Sequence, residues 1–501
     1  MASTAASFAA FVGEQVRKTR QRPLRLLTVP LNLARKGVRR SVAYIAHPIR
    51  EWRANRERLA QALAGEAEQL LEQDRPEEAW STFEQCLKFT VDPLNYARAA
   101  LCLLQAAGQA DRALHLFAEC NAIRRRQAET LGVSACEHLL FDPFWQNGIG
   151  HLATIDYAIK LSILDGRRRE HTIIYVPPHV QIPNRFLLEQ WRPYARIIDY
   201  PNDLPFSEAA VDPLHFDYLA PTRRDGTTGY FWTLAAETYQ RWQAEGRKPL
   251  LQLPEEEKAR GWTELRRHGI PNRAWFVALH VREANSKPSQ RSLMAALNAN
   301  ALAFLPAINE ITRRGGWVIR MGDPNMAPLP PVPNVFDYCH SDARSDWMDI
   351  FIASQCRFFL GTSSGPAYVP SAYGVSCVLT NWWPPVHRPW HAGDIFIPKL
   401  CRHTGGRRLT LDEMLQEPVG WSFSSGYLAT KHQVVVEDST PDDIRTAAIE
   451  MLDRLDGGEQ VVAGDEALHD RVDRIFETNS AFGMAKMSTG FLRKYQDDLL
   501  S

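Results

Sequence analysis

Two short stretches carry residue types that handle anions: "LHVRE" at 279–283 and "GTSSG" at 361–365. In the first, an apolar run delivers His280, Arg282 and Glu283 at its end. Strand alternation sends His280 and Arg282 to one side and Glu283 to the other. A guanidinium placed there can bind a phosphate through two parallel N–H bonds and neutralise the charge that grows on a departing diphosphate. Pairing with a carboxylate is the competing, structural use. In the second stretch, Gly361 and Gly365 bracket Thr362, Ser363 and Ser364, and Pro366 opens a short helix that Gly374 closes. A hydroxyl-rich loop at a helix N-terminus is a place where an anion sits. The loop lacks the Gly-Lys-Ser/Thr of a P-loop, hence the lysine for a γ-phosphate and the magnesium ligand; a diphosphate held by backbone N–H groups and hydroxyls needs neither.

Other residues are weighed against the same chemistry. "IRMGD" (319–323) ends a strand with Arg320, an expected substrate contact, and Asp323, a ribose or acceptor contact or else part of an ordinary Gly-Asp-Pro turn. His387 and His391 stand four apart in "VHRPWH", but Pro389 lies between them and no Glu follows the first His, so no metal site is expected. Trp382, Trp383 and Trp390 in the same Pro-rich stretch are either platforms for a sugar or base or the core of a rigid packed loop, with Arg388 and Asp394 as candidate polar contacts. A Gly-x-Ser-x-Gly elbow, a Cys/His nucleophile context and a Gly-x-Gly-x-x-Gly fingerprint are all missing. What is left is a phosphate-gripping cleft with no metal and no evident nucleophile, which fits group transfer from an activated diphosphate.

Such residues need strand ends to hold them. "WFVALHVRE" (275–283), "WVIRMGD" (317–323), "NVFDY" and "CRFFLG" read as strands separated by helices, among them Leu302 to Arg314, 345–354, a helix capped by Thr410 and Glu413, and one capped by Thr440 with Pro441 at its first position. That alternation predicts a parallel sheet covered on both faces, a Rossmann-like domain over 270–455 with helices over 456–501. Residues 135–269 predict a first Rossmann-like half, with Gly148 and Gly150 ahead of an amphipathic helix and a strand at 171–177. Gly150 and His151 are its expected substrate contacts, and the cleft is expected at the carboxyl ends of both sheets. Ahead of these, "EEAWSTFEQC" (77–86) aligns with "DRALHLFAEC" (111–120): Ala79 with Ala113, Phe83 with Phe117 and Cys86 with Cys120, each 34 residues apart, the tetratricopeptide period. A small all-α segment over 56–130 is expected, packing on the next domain or presenting a groove to a protein partner.

At 501 residues the chain needs more than one core, and its 58 basic and 58 acidic side chains leave no general field for nucleic acid. Charge is segregated only in residues 1–55, a basic arm: residues 1–50 hold ten Lys and Arg against the single acid Glu14. Leu24, Leu26, Leu27, Val29 and Leu31 are interleaved with the cations, as in a segment lying on an anionic membrane surface or in a solvated tail. No run is long and apolar enough to span a bilayer and no signal peptide is visible. The eight cysteines lie in apolar contexts with no C-x-x-C pair. A cytoplasmic protein with reduced thiols follows, peripheral on the inner face of the membrane if the arm binds it.

"HVRE", "GGWVIRMGDPNMAPLP", "DYCHSDARSDWMDIFIASQCRFFLGTSSG" and "GVSCVLTNWWPPVHRPWHAGDIFIPKL" together resemble a family of bacterial glycosyltransferases with tetratricopeptide-like N-terminal segments, itself similar to the fucosyltransferase-like GT-B enzymes. The resemblance covers about residues 140–500 and is densest from 275 to 400. It implies a GT-B-like pair of Rossmann-type domains, the first holding the acceptor and the second a nucleotide sugar. It implies Arg282 as the β-phosphate ligand, His280 as its neighbour, and Gly361 to Gly365 as the diphosphate and nucleotide loop. Metal-independent, inverting transfer to a glycan, lipid-linked or protein acceptor in surface polysaccharide synthesis follows, with no cofactor and with Glu283 or Asp323 as base. One departure stands out: where the family pattern has an R-N-x-D element, this chain has "LNAN" with Leu297 and Asn300. The alternative reading is an inactive GT-B-like scaffold that works through its helical repeats in an envelope-assembly complex.

Overall fold

The computed structural model describes residues 38–133, 138–141, 145, 148–176, 180–199, 204, 215–216, 220–221, 227–272, 274–284, 294–458 and 464–501, with the backbone alone at 38–50, 53 and 215–216. Most of the basic arm, 1–37, and Cys136 lie outside the described residues. Residues Glu57–Ser501 form one unit and Met1–Arg56 another. Among the described residues, no helix is long and apolar enough to cross a membrane.

Helix α1 (Val38–Glu72) is followed by α2 (Pro76–Leu87), α3 (Pro93–Leu101, continued by a π turn, Cys102–Ala106) and α4 (Ala110–Thr130). Pro76 and Pro93 sit where a helix has no use for an N–H, and the Asp92 carboxylate caps α3 by accepting from Leu94 N. The repeated residues Ala79, Phe83 and Cys86 of α2 and Ala113, Phe117 and Cys120 of α4 are all buried. The turns between these helices dock onto residues 417–424. Phe423 N donates to Gln105 O (2.7 Å), Ser422 Oγ to Ala106 O (2.9 Å) and Asp111 N to Glu417 Oε1 (3.1 Å). Gly108 has φ +65°, and a Cβ there would come within 2.3 Å of Pro418 O, so the close approach needs glycine. The segment packs on the rest of the chain at its turns.

Strands β1 (Leu139–Phe141), β2 (Thr172–Tyr175), β3 (Arg196–Ile198) and β4 (His215–Phe216) make a parallel sheet of order β3-β2-β1-β4. Between them run α5 (Ile149–Leu164) and α6 (Arg185–Gln190); α7 (Phe231–Ala244) and α8 (Glu255–Arg267) lead on to the second half. The expected amphipathic character of α5 is corrected: residues 152–160 are buried without a break. The helix is covered on every side because α7 packs on it from its own half and the short helix beyond the 361–365 loop packs on it from the other.

The second half holds β5 (Phe276–His280), α9 (Leu305–Arg313), β6 (Trp317–Arg320), β7 (Val335–Phe336), α10 (Asp346–Gln355), β8 (Phe358–Gly361), α11 (Tyr368–Ala372), β9 (Cys377–Trp382) and β10 (Ile395–Pro398). After a two-stranded ribbon of β11 (Leu400–His403) and β12 (Val434–Glu437), β13 (Lys486–Met487) completes a seven-stranded sheet, parallel throughout, of order β13-β10-β9-β8-β5-β6-β7. Every residue of β5, β8, β9 and β10 is buried, as a sheet covered on both faces requires. From β5 the chain steps out through β6 and β7, then returns to lay β8 on the other flank of β5. The order therefore reverses between β5 and β8, and in open α/β sheets the crevice beyond that reversal is where ligands bind.

Helices α12 (Leu411–Leu415), α13 (Ser425–His432), α14 (Pro441–Leu455), α15 (Asp465–Thr478) and α16 (Thr489–Leu499) finish the chain. Thr410 with Glu413 and Thr440 with Asp443 form reciprocal capping boxes. The helix expected from Leu302 instead starts as a 3-10 turn (Ala301–Phe304), and α9 begins only at Leu305, with Pro306 where no N–H is required.

Candidate functional site

His280, the last residue of β5, lies opposite Gly361, the last residue of β8, so "HVRE" and "GTSSG" leave the sheet side by side at the reversal of strand order. Thr362 N donates to His280 O (3.2 Å) and Arg282 N donates to Thr362 Oγ1 (3.0 Å). Ser364 Oγ lies 3.2 Å from Thr362 O and 3.0 Å from His280 Nδ1. A hydroxyl has a single proton, and since a carbonyl can only accept it, His280 Nδ1 carries the other proton and donates to Ser364. Burial, helped by Arg282 and Arg320, pulls the His280 pKa down to about 4, so this ring is neutral at pH 7. Ser363 Oγ accepts from Trp383 N (2.7 Å).

All three hydroxyls of the loop are thus engaged inside the fold, which revises what the sequence leads one to expect of them. They hold the loop in shape, Thr362 and Ser363 as acceptors, and the backbone N–H groups of Ser363, Ser364 and Gly365 have no hydrogen-bond acceptor among the described residues. Backbone N–H groups without an acceptor, at the carboxyl end of a parallel sheet, are donors that an anion can use.

The two arginines at neighbouring strand ends differ in their partners. Arg320 is 1% exposed and locked: Nη2 lies 2.9 Å from Glu283 Oε2, and Nη1 lies 2.6 Å from Ala327 O and 3.6 Å from Asp337 Oδ2. Arg282 is half-buried, and its described side-chain partners are neutral, Asn298 Oδ1 at 3.2 Å from Nε and Met294 Sδ at 4.0 Å from Nη2. Burial lowers the Arg282 pKa and raises that of Glu283 against the pull of Arg320. Asp323 Oδ1 accepts from Asn325 N (2.9 Å) and Asn325 Nδ2 (2.7 Å), the geometry of an ordinary turn. Asp337, Cys339 and His340 place three metal-ligand types together, a cluster with no periodic signature in the sequence. His340 is already bonded on both ring nitrogens, to Asp337 Oδ2 (2.9 Å) and Met326 O (3.0 Å), and the Arg320 guanidinium beside Asp337 disfavours a second cation.

Gly150, in the first turn of α5, meets the loop directly. A Cβ on Gly150 would fall 2.5 Å from Gly365 Cα, and one on Gly365 would fall 2.9 Å from Gly150 N. The two glycines allow backbone to touch backbone, so the N-terminus of α5 abuts the loop, with His151 one residue further along. Arg388 is not brought to this place: its guanidinium is buried on Asp473 Oδ1 (2.6 Å) and Ala485 O (2.9 Å) and lies over the Phe476 ring. Asp394 accepts from Cys377 N (2.8 Å) deep in the sheet.

Trp382, Trp383 and Trp390 are likewise buried, so the packed-loop alternative describes them. Trp390 sits among Trp232, Tyr239 and Tyr368, with ring centroids 4.3, 5.5 and 5.8 Å away, and His387 stacks on Trp232 at 4.3 Å and bonds Tyr230 Oη. Asn298 and Lys399 escape sequence reasoning. Lys399 Nζ reaches Asn298 O at 2.6 Å across 101 residues of chain, a convergence that no local pattern signals.

No family model matches the sequence, and no curated protein matches it. Among solved structures, similarity is found to a glycosyl transferase family 9 protein from Veillonella parvula DSM 2008, 14% identical over 61% of this chain and 79% of that one, with a TM-score of 0.26. A second is the iron-containing dodecameric glycosyltransferase TibC from enterotoxigenic E. coli H10407, 14% identical over 48% of this chain and 57% of that one, with a TM-score of 0.28. Neither overlap is close enough to place the chain in a family.

Proposed function

We propose that the chain is a glycosyltransferase of GT-B-like build that takes a sugar from a nucleotide-diphosphate donor. One observation carries the reading: the strand order reverses between β5 and β8, and there Arg282 is joined by the hydrogen bond from its N to Thr362 Oγ1 to a loop whose amides at Ser363, Ser364 and Gly365 have no acceptor among the described residues. The guanidinium and the amides stabilise the two phosphates as the bond from the anomeric carbon to the diphosphate oxygen breaks, and the departing group takes that electron pair. The acceptor hydroxyl forms the new bond to the same carbon from the opposite face and gives up its proton to a base, which is the inverting outcome.

Glu283 suits that base better than Asp323. Each has one oxygen already bonded, Glu283 to Arg320 and Asp323 to Asn325, and burial raises the Glu283 pKa against the pull of Arg320. Neutral His280 holds the loop, and Gly150 with His151 brings the first half, the acceptor side, against it. No step in this scheme calls for a metal. An acceptor of glycan, lipid-linked or protein type in surface polysaccharide synthesis fits the family that the sequence resembles. Thermal shifts of the full chain with GDP, UDP, ADP and CMP sugars test the reading: at least one is expected to raise Tm, and Arg282→Ala is expected to abolish that rise. If no nucleotide raises Tm, the inactive-scaffold alternative takes over.

A further inference from the structure

Three hydrogen bonds to described residues fix the place of Arg282. Its N–H donates to Thr362 Oγ1 (3.0 Å), its carbonyl accepts from Ala299 N (2.9 Å), and its Nε donates to Asn298 Oδ1 (3.2 Å). The first two fix the backbone, and the third acts on the guanidinium itself. Asn298 is in turn tethered from across the sheet: its carbonyl accepts from Lys399 Nζ at 2.6 Å, and Asp438 Oδ1 takes a second proton of the same ammonium at 2.5 Å. Lys399 is only 3% exposed, and burial lowers its pKa although Asp438 opposes the shift. A buried ammonium is a costly way to hold a loop, which points to a position that has to be exact.

The choice of an amide is the telling part. On the neighbouring strand, Arg320 is held by the carboxylates of Glu283 and Asp337. An Asn oxygen accepts the Nε–H of Arg282 without bringing a negative charge of its own, so this contact orients the guanidinium and does not offset its charge. The neighbouring Asn300 explains part of the departure from the family pattern, since its Oδ1 accepts from Leu302 N (3.0 Å), a capping role that Asp fills equally well.

We propose that Asn298, tethered by Lys399, is a positioning residue that aims Arg282 at the diphosphate of the donor, an inference that rests on the nucleotide-sugar reading above. Titration calorimetry of the full chain with GDP, UDP, ADP and CMP tests it, with Tm recorded for every variant. For the nucleotide that the native chain binds, Asn298→Ala is expected to weaken affinity about tenfold, the worth of one charge-assisted hydrogen bond. Asn298→Asp is expected to weaken it further while holding or raising Tm, because the new carboxylate pairs with Arg282 and offsets its charge. A residue that only supported the loop would move Tm and leave affinity in place. Native affinity in both variants, alongside loss of binding in Arg282→Ala, overturns the positioning role and leaves the nucleotide-sugar reading standing. If the native chain binds none of the four, the positioning role falls together with that reading.

Discussion

Gly150→Ala is a sharp mechanical probe of the site, because both sides of the contact are backbone. The new Cβ would lie 2.5 Å from Gly365 Cα and 3.1 Å from Gly365 O, whereas carbon atoms in good contact sit about 3.5–4.0 Å apart. Roughly 1 Å of displacement must come from the start of α5 or from the 361–365 loop, since no flexible side-chain tip is available to give way. Overpacking of this size costs about 1–3 kcal/mol. For unfolding of the whole compact unit Glu57–Ser501, about 445 residues, the entropy is about 0.9 kcal/mol/K, so Tm is expected to fall by only about 1–3 °C. Ligand affinity is the more sensitive readout. The loop that shifts is the one whose amides face the diphosphate, and a misplacement of about 1 Å is expected to weaken nucleotide binding by tenfold or more. Calorimetric titration and scanning calorimetry on the same preparation give both numbers. A lowered Tm with native affinity would refute the placement of the diphosphate against this loop, and no change in either would refute the contact itself.

Three further perturbations test other parts of the structure. Gly65→Ala lies inside α1 with nothing within 4 Å of the added methyl, so a gain of about 0.5–1 kcal/mol is expected, seen as a higher urea midpoint; a loss would contradict the helix there. Asp156→Ala strips the partner from Lys160, whose Nζ lies 2.6 Å from Asp156 Oδ2 with both side chains buried, and is expected to cost about 3–5 kcal/mol in urea unfolding. Asp394 is buried with its pKa lifted to about 8, well above the roughly 3.9 of an unfolded chain. Its folded-state proton therefore contributes stability that is complete below about pH 4 and is lost as pH rises through about 8. Asp394→Asn keeps an oxygen for Cys377 N and removes the titration, so its Tm relative to the native chain is expected to climb from about pH 5 to about pH 8; parallel profiles would contradict the raised pKa.

Local chemistry made much of the fold legible. The capping boxes at Thr410 and Thr440, the helix between Pro366 and Gly374, and the strand runs around "HVRE" and "GTSSG" are each written within a dozen residues, where turn and cap preferences act directly. The meeting of His280 with Gly361 follows from strand order, which alternation of strands and helices constrains but does not spell out. The fate of single side chains was less visible. A tryptophan serves a packed core and a sugar platform equally well, and only the arrival of Trp232 and Tyr239 from α7 commits Trp390 to the core. Arg388 is claimed by Asp473, 85 residues later, and the loop hydroxyls by His280 and Arg282 at the end of β5 and Trp383 at the end of β9. Such choices depend on tertiary neighbours and leave no local trace.

Hydrogen exchange at the amides of Ser363, Ser364 and Gly365 tests the central claim most directly. With no acceptor among the described residues, these N–H groups are expected to exchange quickly in the free protein and to slow together with the 280–284 segment when a bound nucleoside diphosphate is saturating. Saturable binding that leaves this loop unprotected and slows exchange elsewhere would contradict a diphosphate at the reversal between β5 and β8.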